Sequence, residues 1–303
     1  MTSEIHVLAC SNAGFFQHLA VMLVSLLSNN PQARFNLVVV TGDGPSEERR
    51  KLERTMARFP QARFTIRDFS PSKALGLYTP GPYTTDNYAR LWVADFFGPD
   101  VDRVLYLDAD MVVVGDIDDL WQFDLQGKLL GAVDIPGSTR WQELGMPGEY
   151  GYFNSGLLLF DLEQWRRTDA LARVLAKLKE YGEALNDVDQ DGLNLALYRD
   201  RMPLPYKFNV VTPFYRPSHD LRLSHHDIAA IHRDARIVHF NGQSRPWSYH
   251  SRHPRKKDYY TCLAMTEWRG FIPPDRTLAD ILRKAVAPLI PDILKRHLRP
   301  LLE

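Results

Sequence analysis

The sequence predicts an α/β fold: an open, mainly parallel sheet flanked by helices. Three observations predict it. Short runs rich in β-branched residues alternate with helical stretches, as parallel sheets covered on both faces require. The first 30 residues combine one such run with a second apolar stretch and hold no Asp, Glu, Lys or Arg between Glu4 and Arg34, the composition of a strand and helix buried together. The 303 residues are 45% hydrophobic and 24% charged, enough apolar mass for a large core and too little for a multi-span membrane protein.

Ile5–Cys10 reads as the first strand, followed by a polar loop at Ser11–Gly14 and a buried helix from about Phe15. The apolar run Leu19–Leu27 is broken by Ser25 and falls well short of the ~20 residues of a membrane span. No basic segment precedes it, so it does not read as a signal peptide. Phe35–Thr41 is the second strand. Pro45 then opens a charged helix through about Phe59, with proline at the first helical position. Arg63–Phe69 is a third strand, Asn87–Phe97 a helix, and Val104–Leu107 a fourth strand. Gly131–Asp134, Leu157–Phe160 and Ile237–Phe240 are later strands, and a helix covers Asp169–Tyr181. The chain divides at about residue 262 into an α/β domain, 1–262, and a tail, 263–303.

Lys plus Arg and Asp plus Glu each number 37. This balance gives no basic field for nucleic acid. Cys10 and Cys262 form no CxxC or Cys/His cluster and read as two reduced, buried thiols in a cytoplasmic protein. Residues 276–303 differ: six Lys/Arg stand against three Asp/Glu, and apolar residues recur at helical spacing. Pro288 and Pro291 must divide that helix. A basic amphipathic tail of this kind is suited to peripheral contact with an anionic membrane, to which the basic run Arg252–Lys257 adds attraction; the alternative is a helix packed on the domain or in a dimer contact.

Gly42-Asp43-Gly44 follows a strand, but position 47 is Glu where a dinucleotide-binding turn needs its third glycine, so it reads as a simple turn. Asp108-Ala109-Asp110 is the stronger motif. Two carboxylates at i and i+2 on extended backbone point to one side and can share a divalent cation that neutralises a pyrophosphate. Five D-x-D pairs occur, but only this one lies between two apolar runs, Val104–Leu107 and Met111–Val114. Burial there is costly unless a cation pairs the carboxylates. His239 ends the apolar segment 236–238, where a strand's carboxyl end meets a site, and Gly242 and Arg245 follow it. A glycine permits close approach to phosphate and an arginine binds its oxygens. Mixed carboxylate and imidazole ligation favours Mn²⁺, with Mg²⁺ also accommodated. Two more polar clusters stand amid apolar residues, Tyr152–Gly156 and Asp187–Asn194; the second also fits a capped helix start.

Taken in order, these segments resemble glycosyltransferase family 8, which includes bacterial lipopolysaccharide galactosyl- and glucosyltransferases and glycogenin. The likeness runs from Ile5 to about Tyr249. Tyr88-Ala89-Arg90-Leu91 resembles the family's helix bearing a donor-sugar arginine. Leu105-Tyr106-Leu107-Asp108-Ala109-Asp110 is similar to its metal motif. Phe153-Asn154-Ser155-Gly156 resembles its acceptor-side strand start, and Asp189-Gln190-Asp191 its donor-sugar segment. His239-Phe240-Asn241-Gly242-Gln243-Ser244-Arg245-Pro246-Trp247 is similar to its His-x-x-Gly-x-x-Lys-Pro-Trp.

The resemblance implies a GT-A fold with a Rossmann-like sheet, a UDP-hexose donor, Mn²⁺ and retention of anomeric configuration. It implies metal ligation by Asp108, Asp110 and His239. It places the nucleotide sugar against Ala9, Ser11, Asn12, Arg90, Ala109, Asp189, Gly242 and Arg245. Asp189 and Gln190 stand at the reacting sugar, with Gln190 stabilising positive charge during front-side attack; Asp134 and Asn154 lie on the acceptor side. The acceptor is a glycan or lipid-linked glycan, reached in the cytoplasm or at the inner membrane. Two positions depart from the family pattern. The loop Ser11–Gly14 lacks the family's uracil-contacting Asp, and the phosphate lysine is Arg245, which keeps the charge and adds bidentate geometry. Two rival classes are a sugar nucleotidyltransferase, which would need a basic Gly-rich loop near the N-terminus, and a non-catalytic glycan-binding protein with a relic site.

Overall fold

The computed structural model describes residues 4–80, 85–216, 221–242 and 245–277. Strands β1 (Ile5–Cys10), β2 (Phe35–Thr41), β3 (Ala62–Asp68) and β4 (Arg103–Leu107) fall within a residue of their predicted places. After β5 (Met111–Val113) come β6 (Leu130–Asp134), β7 (Phe153–Asp161), β8 (Arg201–Pro203), β9 (Val210–Val211) and β10 (Ile237–His239). Seven strands form one sheet in the order β3-β2-β1-β4-β7-β6-β8. Pairings among β3, β2, β1 and β4 are parallel, as is β6 with β8; β7 runs antiparallel to both neighbours. A small sheet, β5-β10-β9, stands beside it.

The uncharged N-terminal stretch is the centre of the core. The helix Phe16–Asn29 follows a 3₁₀ turn at Ala13–Phe15, and residues 16–27 of it are all buried. Ser25, which interrupts its apolar run, anchors the small sheet: its Oγ accepts from Val113 N at 2.9 Å while Asn29 Nδ2 donates to Val113 O at 3.0 Å. A buried helix is thereby fixed to β5 by polar groups that would be costly if unpaired.

Several boundaries differ from the sequence reading. The charged helix spans Glu47–Met56 and is capped by Ser46, whose Oγ accepts from Arg49 N at 3.1 Å, so Pro45 lies before the cap. The Asn87–Phe97 helix is instead a 3₁₀ segment, Thr85–Asp95, kinked at Trp92. β7 begins four residues earlier than predicted, so Asn154, Ser155 and Gly156 are strand residues. Cys10 and Cys262 are buried and unpaired with each other.

The division at residue 262 falls inside a packed region. Trp268 and Phe271 pack against the main core, Trp268 Nε1 donates to Glu48 Oε2 at 2.8 Å, and Glu267 pairs with Arg54 and Arg58. The predicted tail helix beyond Thr277 lies outside the described residues. Among the described residues, no helix is long and apolar enough to cross a membrane.

Candidate active site

A cleft of about 600 Å³ opens at the carboxyl ends of β1 and β4, where ligands sit on open parallel sheets. Of the residues singled out in the sequence, Ser11, Asn12, Arg90, Asp108, Ala109, Asp110, Asn154, Asp189, Gln190, His239, Gly242 and Arg245 line it. Two do not. Ala9 is 1% exposed and belongs to the core, with Cys10 at the cleft in its place. Asp134 pairs with Arg201 Nη2, and Ile135 forms that part of the wall.

Register explains how Asp108, Asp110 and His239 meet across more than a hundred residues. β10 pairs with β5 so that His239 lies opposite Met111, and Phe240 N donates to Asp110 O at 2.9 Å. The three side chains offer ligand atoms that all lie within 4.8 Å of one another. His239 Nε2 is 3.1 Å from Asp110 Oδ1 and 3.9 Å from Asp108 Oδ2. Burial disfavours charge on both His239 and Asp110. Their mutual attraction outweighs it, holding Asp110 below the usual carboxylate range and raising His239.

The surroundings fit a bound divalent cation. Gly156 faces the cluster, and a Cβ there would come within 2.5 Å of His239 Cε1 and 2.7 Å of Asp108 Oδ2. Asp108 Oδ1 is occupied by Tyr106 OH at 2.6 Å and Arg90 Nη2 at 3.1 Å, while Oδ2 is the oxygen nearer His239. His239 Nδ1 lies 3.0 Å from Asn209 Oδ1. An amide oxygen only accepts, so Nδ1 carries a proton; that leaves Nε2, on the carboxylate side, as the nitrogen that would ligate a cation in place of its own proton, the arrangement usual for metal-ligating histidine.

That bond begins a chain with one consistent direction. His239 donates to Asn209, Asn209 Nδ2 to Asn154 Oδ1 (2.8 Å), Asn154 Nδ2 to Gln190 Oε1 (2.9 Å) and Gln190 Nε2 to Tyr152 OH (3.1 Å). Tyr152 OH then donates to Asp191 Oδ1 at 2.5 Å, and Arg140 closes the chain on Asp191. Gln190 Oε1 also accepts from Ser155 N at 3.0 Å, so its amide is fixed in orientation. The Asp187–Asn194 segment is both a helix start, Val188–Leu197, and part of the cleft wall.

Arg90 joins the two halves of the site. Its guanidinium lies 3.1 Å from Asp108 Oδ1 and 3.2 Å from Asp189 Oδ2, donates to Ser155 O at 2.9 Å and covers the Tyr106 ring at 4.4 Å. Burial pushes the Asp189 carboxyl up to about 6, with Arg90 pulling the other way.

Phe15, Asp86, Asn87, Asp187 and Asn241 also line the cleft and were not assigned roles from sequence; Asn209 was missed altogether. Asp86 and Asn87 sit directly before the Tyr88–Leu91 motif, which was the available signal. Asn209 belongs to no motif, and only the β9–β10 pairing brings it to His239.

The comparisons agree with this geometry. A family model described as Glycosyl transferase family 8 matches residues 6–251. General stress protein A of Bacillus subtilis is 28% identical over 273 residues, covering 87% of this chain and 94% of its own. The lipopolysaccharide 1,3-galactosyltransferase of Salmonella typhimurium is 27% identical over 256 residues, 82% of this chain and 74% of its own. A crystal structure of the galactosyltransferase LgtC with donor and acceptor sugar analogues superposes with a TM-score of 0.75, covering 88% of this chain and 99% of its own at 23% identity. The fold is GT-A. With a family match across most of its length and the family's motifs gathered around one cleft, the chain belongs to glycosyl transferase family 8.

Proposed function

We propose that the protein is a metal-dependent, retaining hexosyltransferase that moves glucose or galactose from UDP to a hydroxyl of a glycan or lipid-linked glycan. The observation that carries the reading is the Asp108, Asp110 and His239 cluster, with its ligand atoms within 4.8 Å of one another, in the same cleft as Asp189 and Gln190.

Asp108 Oδ2, an Asp110 oxygen and His239 Nε2 would hold the metal, and the mixed donor set suits Mn²⁺ with Mg²⁺ as a substitute. When bound, the metal supplies charge neutralisation for the diphosphate as it leaves. The chain's own groups do the rest. Arg245 binds phosphate oxygens, and Gly242, at φ +82°, lets the backbone come close to them. Ser11 and Asn12 hydrogen-bond the base. Arg90 and Asp189 orient sugar hydroxyls.

Gln190 lies near the anomeric face. Its amide is a poor nucleophile but a fixed dipole, held by Asn154, Ser155 and Tyr152. Fixed dipoles stabilise developing charge without reorganising, which supports front-side attack by the acceptor hydroxyl over a covalent intermediate. Asn154 serves the acceptor side; Asp134, paired with Arg201 outside the cleft, directly precedes Ile135 in its wall. Relatives named as lipopolysaccharide galactosyl- and glucosyltransferases support a surface-glycan acceptor; the location proposed with it is the cytoplasm, at the inner membrane.

The test is hydrolysis and transfer from a panel of nucleotide hexoses, with Mn²⁺ and with chelator. UDP-glucose or UDP-galactose turned over with Mn²⁺ alone is expected. GDP bound more tightly than UDP, or full turnover in chelator, refutes the reading.

A further inference from the structure

Arg245 is exposed at the cleft's edge, yet the segment that carries it is held on two sides. On the inner side, Trp247 stacks on His18 with ring centroids 3.8 Å apart and meets the edge of Phe15 at 6.1 Å and Tyr259 at 5.6 Å. Tyr259 OH accepts from Gln17 Nε2 at 3.0 Å and lies 2.7 Å from His18 Nδ1. The Arg245 guanidinium sits 5.9 Å from the Phe15 ring and 5.7 Å from the Trp247 ring.

On the outer side, residues past the predicted domain boundary take hold. Asp275 accepts from Tyr249 N, at 2.8 and 2.9 Å to its two oxygens, and from Ser248 Oγ. Lys256 Nζ donates to Ser248 O, Tyr249 O and Ser251 O at 2.7, 2.8 and 3.3 Å. Ser248 N in turn donates to Arg245 O at 3.1 Å, closing a turn that starts at Arg245 itself. Hydrogen bonds from Ser248 and the Tyr249 amide hold the Asp275 carboxyl down to about 2, so it accepts as a carboxylate throughout the neutral range. The strand of chain leading to Asp275 is itself tied down, by Trp268 on Glu48 and by Glu267 N on Thr55 Oγ1 at 3.2 Å.

We propose that Asp275 is a positioning residue for the diphosphate of the sugar donor: the 267–275 segment straps the Ser248–Tyr249 turn and so fixes the backbone from which Arg245 reaches the cleft. The proposal rests on reading the cleft as a nucleotide-sugar site. A long arginine on an untethered loop must lose that freedom when phosphate binds; the strap removes the cost in advance. The segment after residue 262 is then part of the donor site's support.

The experiment is calorimetry of the full chain with UDP, with uridine and with Mn²⁺ alone, on wild type, Asp275→Ala, Asp275→Asn, Arg245→Ala and the Arg245→Ala/Asp275→Ala double variant. Asp275→Ala should weaken UDP about 3- to 10-fold, Asp275→Asn by less, and uridine and Mn²⁺ by under about 2-fold. Because the strap acts through Arg245, the double variant should bind UDP no more weakly than Arg245→Ala alone. Equal UDP affinity in wild type and both Asp275 variants overturns the proposal, as do multiplying losses in the double variant or a parallel loss of uridine. If Asp275→Ala does not fold, Asp275→Asn decides on the same criteria. A wild-type chain that binds no UDP overturns the nucleotide-sugar reading, and the strap's role with it; wild-type binding with unchanged Asp275 variants overturns the strap alone.

Discussion

Replacing Arg90 with methionine is the most informative single perturbation of this site. The side chain keeps much of its packing volume against Tyr106 but loses ion pairs to Asp108 and Asp189 and the donation to Ser155 O. Asp189 is 4% exposed, so its charge has little recourse to water. Breaking a buried pair in this way costs about 3–5 kcal/mol, a large part of the ~5–15 kcal/mol that holds a typical domain folded. The loss depends on pH, and its sign follows from Asp189. In the wild type burial pushes its carboxyl up from an ordinary 3.8 to about 6, against the pull of Arg90. The folded state therefore holds the proton more tightly, and this group subtracts stability as pH rises from about 4 through 6, by roughly 3 kcal/mol at ~1.4 kcal/mol per unit. Without Arg90 the carboxyl moves higher still and the loss continues above pH 6. Urea unfolding in chelator, followed by tryptophan fluorescence, should give a deficit for Arg90→Met that widens between pH 5.5 and 8. A deficit under about 1 kcal/mol at pH 8, or one equal at both pH values, refutes the view that Arg90 is the counter-charge joining metal site and sugar segment.

Asp108→Asn and Asp110→Asn should each abolish Mn²⁺-dependent turnover and leave the circular dichroism spectrum unchanged, since each removes half of the cluster's anionic ligands; near wild-type transfer in either rules out the metal assignment. Asn209→Leu fills similar space but leaves His239 Nδ1 unpartnered, and Mn²⁺ affinity by calorimetry should fall about 10- to 100-fold. Gln190→Ala should lower kcat more than it raises KM, and NMR of the wild-type product should show the donor's α configuration; an inverted product sinks the front-side mechanism. A chain ending at Thr277 should still bind UDP but no longer pellet with anionic vesicles at low salt, whereas equal pelleting of full-length and shortened chains would place any membrane affinity elsewhere.

How far the sequence disclosed this site follows from which interactions are local. β1, β2 and β4 were legible because a strand buried on both faces must be apolar along its whole length, and turns punctuate it. The 3₁₀ character of Thr85–Asp95 was not, because helical spacing of apolar residues does not distinguish the two helix types. Asp108 and Asp110 stood out by contrast, two acids between apolar runs. Nothing near Asn209 creates such contrast: it is an ordinary polar residue between Phe208 and Val210 until β9 pairs in parallel with β10 and sets it against His239. Asp275 was hidden for the same reason, its partners Ser248 and Tyr249 lying 27 and 26 residues back. The change in composition that marks a tail begins only at residue 276, and composition reports solvent exposure and charge, not attachment. Residues 264–277 fall on the tail side of the predicted boundary and yet contribute Trp268 and Phe271 to the main core. Motif reading thus finds the groups that line the cleft, since their chemistry is conspicuous in an apolar setting. It passes over the groups that hold those residues still, because an asparagine or aspartate acquires that role only from the pairing of distant segments.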